Sequence, residues 1–539
     1  MWSSLLEVTL LSNLSVLHVY YICTKEKLKL IHWSQAMTPL LHLFTVVAIS
    51  LAILLLNQRK RRRLPPSPPT IPILGNLLWL TKPFSHFEPT LHHLRAKYGP
   101  IFTLYVGPRP VIFIMDGDLA RRSLIQSGEV FADRPPPLST SALNPNLHSI
   151  NNTCHGHIWR LLRRNLVSKV IHPCKSTKSS AHVQRMALDI LLKRLKNEAV
   201  ANGGIVVPVH SIQHCVSFLM TSLCFGVTLE EKVVDRIKNM QLELLGVLEN
   251  LYVFGLLPKA ALLLYWRRLG KLKQLRQAHE ELLIPIIRAC KQREKNTHDM
   301  ISYVDSLLNL KLPAGSAGNM RELCEEDIVN FISEFLDASI WPAAAALEWI
   351  MANFVKHQDI QEKLRKEIRS VVGDKKRRIE EDETQRMPYL KAVIFEALRR
   401  HSPAHFLIPH SVKEDVIVDE YLIPKGTVVN YSVTSIGLDG RVWEDPLEFR
   451  PERFMAGGEG EGVDVNCGKR DIKMMPFGAG RRICPGSDMA VLLLQYLVAN
   501  LVNEIELKAV EGMEVDLSSN AELFATMESP LHARIVNIA

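Results

Sequence analysis

Ten residues near the end of the chain, Phe477-Gly478-Ala479-Gly480-Arg481-Arg482-Ile483-Cys484-Pro485-Gly486, put a single sulfur where it could hold a metal. The loop is too rich in glycine for a helix or strand, and it runs into the apolar stretch from Ala490 to Val502. A cysteine just before a helix N-terminus meets free backbone N–H groups and the positive end of the helix dipole, which favour thiolate over thiol. Cys484 is therefore expected to be a thiolate ligand. Gly478, Gly480 and Gly486 allow turns that side chains would block, so a flat cofactor could lie against the sulfur. Arg482 stands where it could reach a carboxylate on that cofactor. A free cysteine in a tight turn is the plainer reading. Against it, Phe477, Gly480, Arg482, Cys484 and Gly486 at fixed offsets form a pattern that chance rarely yields.

Trp159 and Arg163 share one helix face at a spacing of four, and an indole N–H beside a guanidinium can donate to one carboxylate. Glu396 and Arg399 stand at i and i+3, a pairing worth roughly 0.2–0.5 kcal/mol on an exposed helix. It gains interest from the segment Phe449-Arg450-Pro451-Glu452-Arg453-Phe454 between that helix and the cysteine loop.

The elements that must position these residues belong to a chain of 539 residues, long enough for one large core or several. Nine scattered cysteines without paired zinc spacing point to a reducing compartment and not to a disulfide framework. The formal charge of +9 could suggest nucleic acid, but five basic residues, Arg59 to Arg63, form one run after the uncharged apolar segment Thr38 to Leu56. A basic run beside a segment about long enough to span a bilayer is a cytosolic topology signal, and no nucleic-acid partner is expected. Residues 1–37 form an N-terminal extension; its apolar stretch Trp2 to Cys23 contains Glu7 and is followed by Lys25, Lys27 and Lys29. The expectation is a single uncleaved transmembrane anchor over 38–56, with the first segment at the interface or ahead of the true start. Residues 57–76 are a basic and proline-rich hinge, Pro65-Pro66-Ser67-Pro68-Pro69 being a stiff spacer.

Beyond it, residues 77–539 are expected to form one catalytic domain. Ile101 to Val106 and Val111 to Met115 read as a hairpin around Gly107-Pro108, and the chain from His182 to Lys376 as predominantly helical. One long helix should run from about Glu325 to His357. Val416 to Ile423 and Thr427 to Val433 read as strands of a small sheet, and Gly457 to Gly462 as a surface loop without a ligand role.

The loop at 477–486 resembles the haem-binding loop of the cytochrome P450 family, whose cysteine thiolate is the axial iron ligand. The resemblance covers about residues 65–539. It is nearest to plant microsomal members, near family 89, in Met387-Pro388-Tyr389, Lys473-Met474-Met475-Pro476 and Lys508 to Asp516. It implies a mainly α fold with small β-sheets and haem b (iron protoporphyrin IX) as cofactor. Cys484 would ligate iron, with Trp159, Arg163, His410 and Arg482 on the propionates and Phe477, Gly480 and Gly486 shaping the loop. Glu396, Arg399 and Arg453 match the family's structural triad. His155 and His157 around Gly156 depart from the aromatic and proline usual there. Ala404 to His410 aligns with a segment lining the substrate pocket, and Leu523 to Met527 with the turn that dips toward the substrate.

The long helix departs more sharply. Where relatives carry an acid and a threonine that relay protons to oxygen, this chain has Trp341 and Pro342 in Ala338-Ser339-Ile340-Trp341-Pro342-Ala343. Neither is a proton donor of the required kind, which leaves Ser339 or an ordered water. The resemblance implies an endoplasmic-reticulum monooxygenase, single-pass with a cytosolic catalytic domain. It would insert one atom of O2 into a small apolar substrate, with electrons from NADPH-cytochrome P450 reductase. The reductase's acidic face would meet Arg160, Arg164, Lys469, Arg470 and Arg481. The missing acid and alcohol point to two rivals, a haem-thiolate isomerase or dehydratase that needs no O2, and a catalytically impaired haem-binding relative.

Overall fold

The computed structural model describes residues 63–71, 74–77, 84–135, 148–171, 173–252, 266–294, 301–314, 319–373, 377–466, 471–520 and 524–537. The expected anchor at 38–56 and the extension at 1–37 lie outside these residues. Among the described residues no helix is long and apolar enough to cross a membrane. Residues 65–539 form one compact unit.

The strands and helices that position the site are, in chain order, β1 (Ile101–Val106), β2 (Arg109–Ile114), α1 (His157–Leu166), β3 (Ile205–Val206), α2 (Val209–Phe225), α3 (Glu325–Lys356), α4 (Gln358–Val372), α5 (Pro388–Arg400), β4 (His410–Ser411), β5 (Val428–Tyr431), α6 (Ser487–Glu504), β6 (Ile505–Lys508) and β7 (Ala533–Asn537). Helices dominate, and the sheets are small. One sheet has the order β1-β2-β5-β4, with β2 parallel to β5 and the other pairs antiparallel; another has the order β6-β7-β3.

Helix α3 is the axis of the core. Three acids, Glu325, Glu326 and Asp327, occupy its first turn and Lys356 its last, which suits the helix dipole at both ends. Asp327 also accepts from the backbone N–H of Cys324, closing the N-terminus. Beyond that turn most side chains are apolar on every face, so the helix is buried nearly throughout, with α2 packed along it. Helix α5 starts with Pro388 in its first turn, where a missing N–H costs nothing.

The proline-rich stretch expected as a spacer is laid along β1. Thr103 donates its N–H to the Pro66 carbonyl at 2.8 Å and its hydroxyl to Pro65 at 2.9 Å. Asn76 then exchanges hydrogen bonds with Tyr105 through its backbone N–H and its side-chain oxygen. Gly75 makes the approach possible: its φ is +67°, and a Cβ there would lie 2.3 Å from the Tyr105 carbonyl oxygen.

The small-sheet expectation for 416–433 is corrected in detail. Val416–Val418 folds back on Tyr421–Ile423 as its own hairpin, turning at Asp419 with φ +57°, while β5 joins the sheet of β1 and β2. Aspartate tolerates the left-handed conformation, so the turn needs no glycine and left no glycine signal.

Helix α4 is fixed to β6 by two amides, Gln358 and Gln361, that meet at Leu507. The buried Gln361 donates to the Leu507 carbonyl and accepts the Leu507 N–H, both at 2.9 Å, replacing a strand neighbour. Gln361→Leu leaves the Leu507 N–H without that partner, at about 1–3 kcal/mol, while the carbonyl keeps the Gln358 amide. The expected result is an earlier urea unfolding midpoint; an unchanged midpoint contradicts this role.

Candidate functional site

The cysteine loop is a tight backbone construction. Gly478 and Gly480 have φ of +73° and +70°, the Gly478 N–H bonds to Met475 O at 3.0 Å, and the Cys484 N–H returns to Phe477 O at 2.8 Å. Residues Gly480–Arg482 form one turn of 3-10 helix. A Cβ at Gly480 would fall 1.9 Å from the Leu124 carbonyl oxygen, so the loop is pressed against another segment where only glycine fits. Helix α6 starts directly after it, the Ala490 N–H bonding back to Gly486 O at 2.8 Å.

The thiolate expected at Cys484 depends on the metal as well as on the loop. Burial pushes the Cys484 thiol above its ordinary value, outweighing the Gly486 backbone N–H and the Arg163 guanidinium, which act the other way. The loop alone therefore holds a neutral thiol. Coordination to a metal ion is what would remove that proton.

Around the sulfur the structure brings together three of the residues expected on the cofactor's carboxylates. Arg163 donates to Ile483 O at 2.6 Å. Arg482 spreads over three carbonyls, Ala132 at 2.7 Å, Ile150 at 3.1 Å and Thr153 at 2.6 Å. Trp159 lies between them, each guanidinium close over its ring, and gives its indole N–H to Ile150 O at 3.0 Å. Burial lowers the pKa of both arginines, Arg482 to about 10, and among the described residues neither has a carboxylate partner. Two half-buried cations hydrogen-bonded to carbonyls, with Asp133 and Glu334 acting on Arg482 only through space, make a site that favours an anion. That donor set, with one metal-competent sulfur, fits a metal cofactor carrying carboxylates.

His410 sits farther along this shell, donating from Nδ1 to Phe131 O at 2.6 Å. Burial, helped by Arg134 and Arg482, holds it neutral, so its Nε2 is an acceptor. Arg134 was not singled out from sequence. It fastens this strand to the loop before α1, donating to Ile408 O, Pro409 O and Asn151 O.

Helix α3 closes the other side. Glu334 accepts the N–H groups of Ile150 at 2.8 Å and Asn151 at 2.6 Å, and Asn330 donates to His148 O at 2.9 Å. These bonds turn the face carrying Glu334, Asp337, Ala338, Trp341 and Pro342 toward the loop that Arg482 and Trp159 hold. In a helix otherwise buried, Ala338 is exposed and Glu334, Asp337 and Pro342 are half-exposed on this face. Ser339 lies off it and returns its hydroxyl to Phe335 O at 2.7 Å. Trp341 is buried and points its indole N–H at Asp337 Oδ1, 3.4 Å away. Asp337 and Glu334 are not among the residues singled out from sequence; the signal for Asp337 is its helical spacing to Trp341.

The triad residues also meet. Arg399 grips Glu396 with two bonds of 2.6 and 2.8 Å, Arg453 approaches the same carboxylate at 3.3 Å, and all three side chains are fully buried. Arg399 further donates to the Gly437, Pro446 and Glu448 carbonyls, and Arg453 to Asp445 and Glu459. Trp443, stacked under Arg399, reaches Lys473 O at 3.1 Å, just ahead of the cysteine loop.

A family model described as cytochrome P450 matches residues 65–534. The chain is 39% identical to cytochrome P450 89A9 of Arabidopsis thaliana, over 88% of this chain and 93% of that protein. It is 30% identical to a flavonoid 3'-monooxygenase of Arabidopsis thaliana (85% and 88% covered) and 27% identical to costunolide synthase of Cichorium intybus (92% and 98%). With the match running through both the sulfur loop and the buried Glu396 cluster, this chain belongs to the cytochrome P450 family, haem-thiolate oxidoreductases whose cofactor is haem b.

Proposed function

We propose that this chain is a membrane-anchored monooxygenase of the endoplasmic reticulum. It acts on a small apolar molecule and draws electrons from NADPH-cytochrome P450 reductase. The observation that carries the reading is the sulfur of Cys484 beside two guanidiniums without carboxylate partners. Cys484 holds the iron. Arg482, Arg163 and Trp159 receive the cofactor's carboxylates, with His410 at the same rim. Phe477, Gly478 and Gly480 give the loop its shape, whereas Gly486, with φ −98° and open space around a Cβ, is not required by the backbone; the Glu396, Arg399 and Arg453 cluster braces the segment leading into the loop. Bound there, haem b supplies the activation of dioxygen, one atom of which enters the substrate while the other leaves as water.

The remaining steps belong to the chain. Glu334 keeps the Ile150 segment closed over the site by holding two of its N–H groups. Ala338 leaves room on α3, and the apolar surroundings of Trp341 and Ala344 favour an apolar substrate. The exposed Arg160, Arg164 and Arg481 support docking of an acidic reductase face, together with Lys469 and Arg470, which lie outside the described residues. Anchoring rests on the apolar segment at 38–56 and its basic flank.

Trp341 and Pro342, with the Ser339 hydroxyl engaged on its own helix, favour a second reading. In it the chain rearranges or dehydrates an already oxidised substrate without O2. Product formation that requires NADPH, reductase and O2 supports the monooxygenase; turnover of a lipid hydroperoxide without NADPH supports the isomerase.

Two outcomes follow for the purified protein. The reduced, carbon-monoxide-bound form should show the red-shifted thiolate band, and Cys484→Ser should abolish it; an identical spectrum in both removes Cys484 as ligand. Glu396→Ala strands the buried Arg399 guanidinium, at a cost of about 3–5 kcal/mol, and leaves Arg453 with Glu459 alone. Haem-loaded protein should then accumulate poorly and unfold earlier, whereas wild-type haem content and midpoint would dismiss the brace.

A further inference from the structure

Position 341 carries no acid and position 342 no alcohol, yet α3 presents a carboxyl one turn earlier on the same face. Asp337 stands between Glu334, whose two oxygens are spent on the Ile150 and Asn151 N–H groups, and Trp341, whose indole N–H points at Oδ1 from 3.4 Å. Among the described residues that indole is the hydrogen-bond partner of Asp337, and the side chain is half-exposed on the face that looks onto the sulfur site's covering loop. Ser339 cannot replace it, because its hydroxyl donates backward to Phe335 O.

We infer that Asp337 is the proton-delivering acid of this site, displaced by one helical turn from the place where relatives carry theirs, with Trp341 as the residue that orients it. The inference rests on the monooxygenase reading. In the balanced reaction, substrate RH, O2, NADPH and H+ give ROH, NADP+ and water. Two electrons come from NADPH through the reductase, the O–O bond breaks, and the departing oxygen atom takes two protons. Asp337 gives one of these and regains it from solvent.

The surroundings suit that task. Desolvation raises the Asp337 carboxyl to about 8, the negative charge of Glu334 adds to the rise, and the Trp341 N–H opposes it. The acid is thus protonated at neutral pH and can release its proton near the working pH, where acid catalysis is most effective. From the cysteine loop, Arg482 acts on Glu334, itself raised to about 7 by burial, and not on Asp337 directly.

The test uses the full chain loaded with haem. In difference infrared spectra, wild type should show a protonated-carboxyl band that titrates near pH 8 and is missing in Asp337→Asn. Trp341→Phe should move that titration to higher pH, since it removes the N–H that favours the anion. With reductase and NADPH, Asp337→Asn should raise hydrogen peroxide released per NADPH at least about twofold, and Asp337→Glu should restore part of the coupling. An unchanged peroxide yield, or an infrared band that survives in Asp337→Asn, overturns the inference. The thiolate band of the carbon-monoxide complex separates the two claims: its presence in both proteins leaves only the Asp337 assignment at risk, and its absence in wild type removes the monooxygenase reading beneath it.

Discussion

The backbone of Ile150 is the constraint on which the site depends. Its carbonyl accepts from both Trp159 and Arg482, while its N–H is held by Glu334. Three elements distant in sequence, helix α1, the cysteine loop and helix α3, are thereby referred to one point of backbone. Each bond involves a half-buried or buried group, so losing any one leaves a polar atom without its partner in a place where water is scarce. The geometry of the sulfur relative to the α3 face follows from this meeting more than from any direct contact between them.

Behind the loop, a second buried arrangement does a different job. The Glu396 carboxylate, with Glu459 as the second acid on Arg453, neutralises two guanidiniums that together reach the carbonyls of residues 437, 445, 446 and 448. A meander with little regular structure thus acquires fixed positions, and Trp443 passes them on to Lys473. A buried charge cluster is weak support for stability as such, but it specifies one arrangement of the segments it joins. Here the segment specified is the one that enters the cysteine loop.

What the sequence disclosed divides along the range of the interaction. The loop at 477–486 was legible because its requirements are local: glycine where φ is positive, cysteine at the turn's end. The spacing of Glu396 to Arg399, the extent of α3 and the β1–β2 hairpin were legible for the same reason. Burial was not. In the chain by itself it opposes ionisation of Cys484, desolvation outweighing the backbone N–H and Arg163. It also gave Glu334 and Arg134 importance that no spacing announces, since each depends on a segment that folding brings from far away. The hairpin at 416–423 was misread because its left-handed turn residue is Asp419 and not glycine.

The account comes down to sulfur ligation of iron at one residue. X-ray absorption at the iron edge of the purified, haem-loaded protein tests it without recourse to any substrate. The account predicts a shell of four porphyrin nitrogens plus one sulfur scatterer at thiolate bonding distance, with that sulfur lost in Cys484→Ala. An iron shell fitted by nitrogen and oxygen alone in the wild-type protein would contradict it.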